Sequence, residues 1–404
     1  MKILVLNAGS SSQKSCLYDL AGGLPDHPPD PLWAGSIDWT AQTGGAEITV
    51  TANGAVQRET IASTSKAEVT HHLLATLWQG ATQVLQSAND IDAVGHRVVH
   101  GGEEYRESCR ITSQVKAAIA RLATFAPIHN PVNLEGIETM EAILGAEVPQ
   151  VAVFDTAFHA SLPAAAYTYP GAHEWLEQGI RRYGFHGTSH QYCVERAAQL
   201  LGRDLKELRL ISCHLGNGAS LAALRYGQNV DTTMGFTPLE GLMMGTRSGS
   251  VDPSILIYLM RQQGYTADEL DTLLNKSSGL LGISGVSSDL RQILEAIAEG
   301  NSRAQLALDL YIHRLRSLIG SMLASLQGVD AIIFTAGIGE NSPLIRAAAC
   351  QAFEFLGLKL DGAKNHDRPV DQDIATLDST VRVLVIKTQE DWMIAKQCWQ
   401  LVQA

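Results

Sequence analysis

The sequence predicts an α/β protein whose two halves repeat one construction. Near the start, the apolar run Ile3–Leu6 leads into the small polar residues Asn7–Ser12, and a second apolar run, Cys16–Leu20, follows. This pattern is typical of a strand, a tight turn and a second strand. The pattern returns at Leu208–Leu224, and in both halves alternating strand and helix patterns follow. Two long copies indicate duplication of an α/β domain and not a solenoid.

Composition and charge set the broad class of protein. With 404 residues, 45% hydrophobic and 18% charged, the chain has the size of two or three domains and a globular balance. No apolar run reaches the roughly 18 residues of a membrane span, and the run ending at Leu6 is too short for a signal peptide. Six scattered cysteines without a C-x-x-C pair indicate a reduced, cytoplasmic protein. The net charge of −12 argues against a nucleic-acid partner.

The remaining elements of the first half follow from periodicity and turn residues. Alternation over Trp33–Thr60 predicts strands, with a hairpin turn at Asn53-Gly54. The sequence further predicts, in order, a helix over Val69–Ser87, a strand over Ile91–Val99, a helix over Ser113–Phe125 capped by Ser113, a helix over Asn133–Leu144 and a buried strand over Gln150–Phe154.

The second half adds long glycine-rich loops to the same alternation. These loops cover Asp231–Asp252 and Ser277–Ser288. Periodic patterns predict helices over Ser189–Leu201, Ser254–Gln263, Leu290–Gln327 with a break near Gly300, Pro343–Phe355 and Glu390–Val402, and strands over Ala331–Thr335 and Val381–Ile386.

Three glycine-rich turns each follow an apolar strand: Asn7–Ser12, His214–Ser220 and Gly337–Asn341. Ligands of α/β sheets bind at the carboxyl ends of strands, so the three turns together predict a site for phosphate oxygens. A polar hairpin turn would explain any one of them alone. The chain has no G-x-x-x-x-G-K-[ST] motif and no G-x-G-x-x-G opening a βαβ unit, which disfavours Walker-type NTPases and standard dinucleotide binders.

Two arginines stand beside glycine-rich segments, Arg97 in GHRVVHGG and Arg247 in GTRSGSVDP. A guanidinium beside a glycine-rich loop suits a phosphate or a carboxylate. Taken alone, each is better explained as a structural arginine paired with a nearby acid such as Asp252. The two therefore gain weight only in combination with other candidates.

The histidine and carboxylate candidates can likewise be explained by structural roles. Glycines border His186, which favours a site residue over a satisfied structural histidine, whereas the spacing of His96 and His100 does not fit zinc. Asp155 follows a buried strand and could serve acid–base or metal chemistry, or cap a helix. Glu390 precedes the last helix and could cap it or hold Mg²⁺, which commonly takes one or two protein carboxylates.

Together these segments closely resemble the acetokinase family, over almost the full chain and in the family's order. No single segment is specific, but the set is. The matching stretches are LNAGSSSQK, GHRVVHGG, APIHNP, VFDTAFH, RYGFHGTSH, HLGNGAS, TTMGFTPLEGLMMGTRSG, SGLLGISG, FTAGIGEN and Glu390 before its helix.

The resemblance implies two duplicated ribonuclease H-like domains of the sugar kinase, Hsp70 and actin type, with a cleft between them. The expected boundaries are 1–155 plus 391–404 for the N-terminal domain and 156–390 for the nucleotide-binding domain. The implied reaction is reversible, Mg²⁺-dependent transfer of the γ-phosphoryl group of ATP to acetate, giving acetyl phosphate and ADP, with Mn²⁺ as an alternative metal. A homodimer is expected from the resemblance alone.

The resemblance also gives each candidate residue a role. The catalytic residues would be Asp155, His186 and Arg247, and the metal ligands Asn7 and Glu390. The acetate site would comprise Arg97, Val99, Ile128, His129, Phe185 and Pro238. The nucleotide would be bound by Ser10, Ser12, Lys14, His214, Leu215, Gly216, Asn217, Gly218, Asp289, Leu290, Arg291, Gly337, Ile338, Gly339, Glu340 and Asn341. Because a carboxylate is already a nucleophile, we expect Asp155 to orient an arginine or Mg²⁺ and not to remove a proton.

The sequence leaves open the choice between acetate and propionate and the effect of Ser250. Propionate kinases share nearly all of these motifs, and one methylene changes discrimination by only about 1–3 kcal/mol, so acetate is the favoured of two acids. The family commonly has Leu where this chain has Ile128, and Asp where it has Ser250, so the charge balance around Arg247 is expected to differ. A non-catalytic nucleotide sensor on the same fold is disfavoured, because the phosphate-site residues are present.

Overall fold

A computed structural model describes residues 1–9, 12–39, 45–63 and 65–403. The chain divides into two units, Met1–Phe158 with Gln389–Ala404, and His159–Thr388. Each unit contains one β-sheet with helices packed against it. In the described ranges, no helix is long and apolar enough to span a bilayer.

The elements are numbered along the chain. The strands are β1 Lys2–Ala8, β2 Ser12–Asp19, β3 Trp33–Asp38, β4 Ala46–Ala52, β5 Ala55–Ile61, β6 Ala93–Val98, β7 Cys109–Arg110, β8 Gln150–Phe154, β9 Arg209–Leu215, β10 Ala219–Arg225, β11 Gln228–Thr232, β12 Ala331–Thr335, β13 Gln372–Asp373 and β14 Arg382–Val385. The α-helices are α1 Lys66–Ala75, α2 Ser113–Arg121, α3 Asn130–Leu144, α4 Ala164–Tyr167, α5 Glu174–Glu177, α6 Gly187–Leu201, α7 Pro253–Gln263, α8 Ala267–Lys276, α9 Gly279–Ser284, α10 Leu290–Ala298, α11 Ser302–Leu326, α12 Ala336–Asn341, α13 Pro343–Gln351, α14 Gly362–His366 and α15 Glu390–Gln403. Short 3-10 helices cover Ala88–Asp90, Leu122–Thr124, Ala157–Ser161, Leu205–Glu207 and Glu354–Leu356.

The two sheets share one topology, which confirms the predicted duplication. The first sheet has the order β5-β4-β3-β2-β1-β6-β8-β7 and the second the order β11-β10-β9-β12-β14-β13. In each, an antiparallel hairpin, β1–β2 or β9–β10, continues into parallel strands. The segment β3-β2-β1-β6-β8 therefore corresponds to β11-β10-β9-β12-β14. The predicted α/β class with duplicated domains is confirmed.

Helix α15 closes the sheet of the first unit. It packs against β1, β6 and β8. Gly95 in β6 allows this close approach, because a Cβ there would lie 2.7 Å from Cγ2 of Ile394. The core on the other side of the sheet is built around buried Trp33 and Leu73. Because α15 packs here, its first residue, Glu390, lies close enough to interact electrostatically with Arg97 near the end of β6 and with Asp155 after β8.

Several predicted boundaries change because side chains, and not apolar periodicity, decide where helices begin. Thr112 and not Ser113 caps α2, since its hydroxyl accepts a hydrogen bond from the backbone N–H of Val115. The predicted helix over Val69–Ser87 begins earlier and is shorter, because Ser65 caps α1 at Glu68 and the helix ends at Ala75.

Two predicted turns have different outcomes. The turn at Asn53-Gly54 is confirmed, with left-handed φ angles of 52° and 75° between β4 and β5. The segment Gly337–Asn341, predicted as a turn, instead lies in the short helix α12, whose first residue, Ala336, has a φ of 62°.

Candidate functional site

In the first unit, charged and polar side chains gather at the carboxyl ends of three neighbouring strands. Asn7 lies near the end of β1, Arg97 near the end of β6, and Asp155 directly after β8. The parallel register β1–β6–β8 brings these strand ends to the same edge of the sheet. Residues separated by more than 140 positions in sequence therefore meet in one cluster.

The closest contact in this cluster joins Arg97 and Asp155. Nε of Arg97 lies 3.1 and 3.0 Å from the two carboxylate oxygens of Asp155, and Nη2 lies 2.6 Å from Oδ2. Burial alone would lower the pKa of the Arg97 guanidinium, but the charge and hydrogen bonds of Asp155 raise it above its ordinary value. Arg97 is thus a fixed, permanently charged group whose direction is set by Asp155.

Glu390 and Asp391 add negative charge beside this pair. Burial raises the pKa of the Glu390 carboxyl, and the charges of Asp155 and Asp391 raise it further, against the lowering effect of Arg97 and Lys14. Asp391 accepts a hydrogen bond from the side-chain amide of Asn7 at 2.9 Å, which turns the amide oxygen of Asn7 towards Nη1 of Arg97 at 3.4 Å. The surplus of carboxylates favours a cation at this edge.

The side chains at this edge offer few ligands for a metal ion. In the described parts of the chain, no group of three or more His, Cys, Asp and Glu side chains is arranged to hold a metal ion by itself. One carboxylate of raised pKa and one amide oxygen instead fit an ion that takes its remaining ligands from water and phosphate, as Mg²⁺ commonly does. The residues present therefore fit a divalent cation that shares its ligands with a bound molecule, and not one held in a closed protein cage.

The opening hairpin carries the predicted phosphate ligands of the first unit. Lys14 lies opposite Asn7 in the β1–β2 register, and it is exposed like Ser12. The backbone N–H of Gly9 donates to the carbonyl of Ser12 at 2.8 Å and closes the turn. Ser10 lies outside the described residues.

Two buried asparagines shape the predicted acetate pocket. Asn133 accepts from the backbone N–H of Val99 at 3.1 Å and donates to the carbonyl of Ala8 at 3.1 Å. Asn130 accepts from the backbone N–H of His100 at 3.1 Å, which ties the segment containing Ile128 and His129 to the end of β6. Val99 is buried at 3% exposure, whereas Ile128 is 43% exposed.

In the second unit, the β9–β10 turn carries the predicted nucleotide residues. His214 and Leu215 end β9 in buried positions, and the turn closes with a hydrogen bond from the N–H of Gly216 to the carbonyl of Gly218 at 3.0 Å. A Cβ on Gly216 would lie 3.7 Å from Cβ of Ala336 at the start of α12. The second and third glycine-rich segments thus lie side by side.

His186 and Arg247 converge on the same turn. A Cβ placed on Gly218 would lie 3.3 Å from Nη1 of Arg247 and 3.4 Å from Nε2 of His186. The ring of His186 stacks on that of His214 with a centroid distance of 4.1 Å. His186 has left-handed backbone angles, φ 57° and ψ 26°, a conformation that non-glycine residues adopt at a cost and that is frequent at functional sites.

Arg247 is held by its own loop. Its Nη1 donates to the carbonyl of Pro238 at 3.0 Å and lies 3.8 Å from the sulfur of Met244. Asp252, the alternative partner considered from sequence, caps α7 by accepting from the N–H of Ser254. Phe185, also predicted at the acetate site, is buried at 1% exposure, so its side chain forms part of the packing next to His186.

Ser250, the departure from the family pattern, keeps a hydrogen-bond acceptor. Its hydroxyl accepts from the N–H of Gly241 at 3.0 Å, and its own N–H donates to the carbonyl of Gly241 at 3.0 Å. Ser250 in place of the family's Asp therefore removes a negative charge but keeps the hydrogen bonds between Ser250 and Gly241.

The other predicted nucleotide residues have mixed environments. Asp289 caps α10 and pairs with the exposed Arg291 at 2.5 Å, while Leu290 is buried.

Glu340 stabilises the start of α12. Its carboxylate accepts hydrogen bonds from the backbone N–H groups of Ala336 at 2.8 Å and Thr388 at 3.0 Å. The remaining residues of this segment are Gly337, Ile338, Gly339 and Asn341, of which Gly337 and Asn341 are exposed. Asn217 is exposed, and its carbonyl accepts from the N–H of Gly245 at 3.0 Å.

No role was predicted from the sequence for several residues that contact the predicted ones. Asp391, Asn133, Ser220 and His190 each hydrogen-bond to a candidate residue or its backbone, or to a neighbour in the same network. Two of them had a usable signal, because Ser220 lies in the predicted turn His214–Ser220 and His190 follows His186 by four residues in the segment RYGFHGTSH.

Comparisons with known proteins agree with these motifs. Residues 2–396 match the model of the Acetokinase family. An acetate kinase from Cyanothece sp. is 65% identical over 100% of this chain and 99% of its own length, and one from Gloeobacter violaceus is 64% identical over 99% of both. A crystal structure of Porphyromonas gingivalis acetate kinase, 41% identical, superposes with a TM-score of 0.91 over 99% of both chains. A propionate kinase structure from Francisella tularensis, 37% identical, gives a TM-score of 0.90 over 99% of both.

Proposed function

Because the chain belongs to the acetokinase family, we propose that it is a phosphotransferase that moves the γ-phosphoryl group of ATP to acetate, reversibly and with Mg²⁺. The observation that carries the proposal is the convergence of His186 Nε2 and Arg247 Nη1 within about 3.4 Å of one position on Gly218. An imidazole nitrogen and a guanidinium nitrogen beside one small volume suit the oxygens of a phosphoryl group in transfer.

The chemistry requires charge neutralisation more than proton transfer. An acetate carboxylate is already a nucleophile, so the barrier lies in bringing two anions together in line. In this proposal Arg97 binds the acetate carboxylate, His186 and Arg247 stabilise charge on the transferred group, and Lys14 contacts nucleotide phosphates. The positive charges of Arg97, Arg247 and Lys14 would let a chain of net charge −12 bind two anionic substrates.

Asp155 acts in this proposal as the residue that orients Arg97. The support is the contact of three N–O pairs between its carboxylate and the guanidinium, with the carboxylate only 1% exposed. A carboxylate so occupied is poorly placed to accept a proton from substrate. We propose direct in-line transfer, with no covalent intermediate on Asp155.

Glu390 and Asn7 would hold Mg²⁺ together with phosphate oxygens of the nucleotide. When bound, the ion supplies positive charge that offsets the negative charge of those oxygens. The raised pKa of the Glu390 carboxyl supports this assignment, since a nearby cation would relieve the repulsion from Asp155 and Asp391.

The nucleotide would lie along the second and third glycine-rich segments. His214–Gly218 and Gly337–Asn341 lie side by side, which supports one binding surface from two distant stretches. The segment Asp289–Arg291 belongs to the same surface, because a Cβ on Gly245 would meet both Asn217 and Ser288. Ser10 and Ser12 of the opening turn complete the set assigned to phosphate oxygens.

Acetate is favoured over propionate as the acceptor. The support is that acetate kinases are 64–65% identical to the chain, against 37% for the propionate kinase structure. Val99, Ile128, His129, Phe185 and Pro238 would line the pocket for the methyl group. Measured kcat/KM values for acetate, propionate and butyrate test this choice, and a clear preference for propionate would reverse it.

A non-catalytic nucleotide sensor is the alternative from another class. Trapping the acyl phosphate with hydroxylamine in the presence of ATP, Mg²⁺ and acetate separates the two. Formation of acetohydroxamate in proportion to ADP supports the enzyme. ATP binding without product would favour the sensor.

We further propose a homodimer that works in the cytoplasm. The six cysteines are free thiols, which supports a reducing compartment. Helix α7 supports self-association, because none of its residues is buried although Ile255, Ile257, Tyr258 and Met260 expose between 47% and 58% of their surface. Sedimentation equilibrium of the full chain measures the stoichiometry directly.

A further inference from the structure

A chain of hydroxyl and imidazole groups lies behind His186 in the second unit. The ring of His190 lies between two serines, with Nδ1 2.8 Å from Oγ of Ser212 and Nε2 2.8 Å from Oγ of Ser220. The hydroxyl of Ser220 is also 2.8 Å from Nδ1 of His186. We call Ser212, His190, Ser220 and His186 the serine–histidine relay.

Secondary structure fixes the geometry of this relay. Ser212 lies in β9, and Ser220 lies in β10 directly opposite His214 of β9. Since residues two apart on a strand share a face, Ser212, His214 and Ser220 face the same side of the hairpin. Helix α6 packs on β9 and presents His190, one turn after His186. Ser212, Ser220 and His190 are 0% exposed, so water does not replace their hydrogen bonds.

The tautomers of His190 and His186 depend on each other, because the hydroxyl of Ser220 between them has only one hydrogen to donate. Burial lowers the pKa of His190 well below its ordinary value, and the neighbouring His159 and His214 lower it further, so the ring is neutral and carries one N–H. The single hydroxyl hydrogen of Ser220 can be donated either to His190 or to His186. The ring that receives it must be the acceptor at that nitrogen, and the other ring must be the donor.

We propose that the relay runs in one direction: Nε2–H of His190 donates to Ser220, and Ser220 donates to Nδ1 of His186. In its neutral form the ring of His186 then carries its proton on Nε2, the atom that converges with Nη1 of Arg247 above Gly218. The reverse direction would direct a lone pair of neutral His186 towards a phosphoryl oxygen. Ser220 and His190 are therefore positioning residues for His186, an inference that rests on the proposed phosphoryl transfer.

Nitrogen NMR of the full chain with ¹⁵N-labelled histidine tests the direction without turnover. The expected spectrum has pyrrole-type nitrogens at Nε2 of His186 and of His190 and pyridine-type nitrogens at both Nδ1 positions, assigned with His186→Gln and His190→Gln. A pyrrole-type Nδ1 on neutral His186 or on His190 would overturn the proposal. Because this result does not depend on substrate, it stands apart from the assignment of acetate as acceptor.

A double-mutant cycle tests whether Ser220 acts through His186. We expect Ser220→Ala to lower kcat roughly 10-fold, less than loss of a whole donor, with KM for ATP and acetate nearly unchanged. In a His186→Ala background the same change should leave kcat unaltered. Equal losses in both backgrounds would show that Ser220 serves packing alone and would overturn its positioning role.

Ser379→Ala is the matched control for this cycle. Ser379 is also buried in the second unit, where its hydroxyl donates to the carbonyl of Val381 at 2.6 Å. This control should lower thermal stability without changing kcat. If Ser220→Ala does not fold, the spectrum of the unaltered chain still decides the direction of the relay. Absence of acyl phosphate formation by the unaltered chain would instead refute the proposed function.

Discussion

Asp155 binds Arg97 side-on, with Nε and Nη2 of the guanidinium facing one buried carboxylate and Nη1 left towards Asn7. The carboxylate is 1% exposed and the arginine side chain 19% exposed. The acid is therefore enclosed while its partner retains an accessible edge. This asymmetry is the reason to treat Asp155 as a support for Arg97.

The first prediction follows from this pair. Asp155→Asn should lower kcat/KM for acetate by roughly 100-fold, with a higher KM for acetate, because a misdirected guanidinium binds the carboxylate poorly. Steady-state kinetics at saturating Mg²⁺ measures the effect. Asp330→Asn, which weakens a pair with Arg209 in the second unit, is the control. Near-full activity of Asp155→Asn would exclude both the orienting and the acid–base role.

The second prediction concerns Arg247. Arg247→Ala should lower kcat by roughly 10²–10³-fold while KM for ATP changes little, because the guanidinium is assigned to charge that develops during transfer. Arg203→Ala, a change of an exposed arginine in the same unit, should leave both constants unaltered. A large rise in the KM for ATP with unchanged kcat would place Arg247 in nucleotide binding instead.

The third prediction concerns the size of the acid. Val99→Ala should raise the ratio of kcat/KM for propionate over acetate by roughly 10-fold, because it makes room for about one methylene. Competition between the two acids measures the ratio. Val98→Ala, which removes a neighbouring valine from the core cluster with Phe154, is the control and should cost stability without altering the ratio. An unchanged ratio in Val99→Ala would remove Val99 from the pocket.

The fourth prediction is a pH dependence of stability. Burial lowers the pKa of His96 from 6.5 to about 4, so the folded state binds fewer protons than the unfolded state between these values. Stability should therefore fall as pH drops through this window, by about 3 kcal/mol from this residue. Urea unfolding at several pH values gives the free energy of unfolding as a function of pH. The slope of this free energy against pH should be smaller for His96→Gln than for the unaltered chain. His27→Gln is the control, and equal slopes for His96→Gln and the unaltered chain would contradict the prediction.

The fifth prediction concerns the exposed face of α7. Ile257→Glu should convert the proposed dimer to monomers, because a charge at an apolar contact is costly to bury. Light scattering after size exclusion reports the mass. Gln262→Glu adds the same charge to an exposed, polar position of the same helix and should leave the mass unchanged. A dimer that survives Ile257→Glu would locate the interface elsewhere.

Local patterns were sufficient for much of the fold. The strands Gln150–Phe154 and Ala331–Thr335 appear with the predicted bounds, because short apolar runs between polar residues have few other solutions. The repeated strand–turn–strand predicted the hairpins β1–β2 and β9–β10 and hence the duplication. Helix starts were less predictable. Thr112 and Ser113 both carry a hydroxyl that can cap a helix, and only the backbone geometry selects Thr112.

By itself, the sequence determined the α/β class, the duplication, the family and the identity of most candidate site residues. It could not determine which of these residues hold one another. Asp155 is 58 residues from Arg97, Asp391 is 384 from Asn7, and Ser220 is 34 from His186. Such contacts depend on the order of strands in a sheet and on where a helix docks. Only the tertiary structure therefore decided that Asp155 supports Arg97 and that a buried serine lies between two histidines.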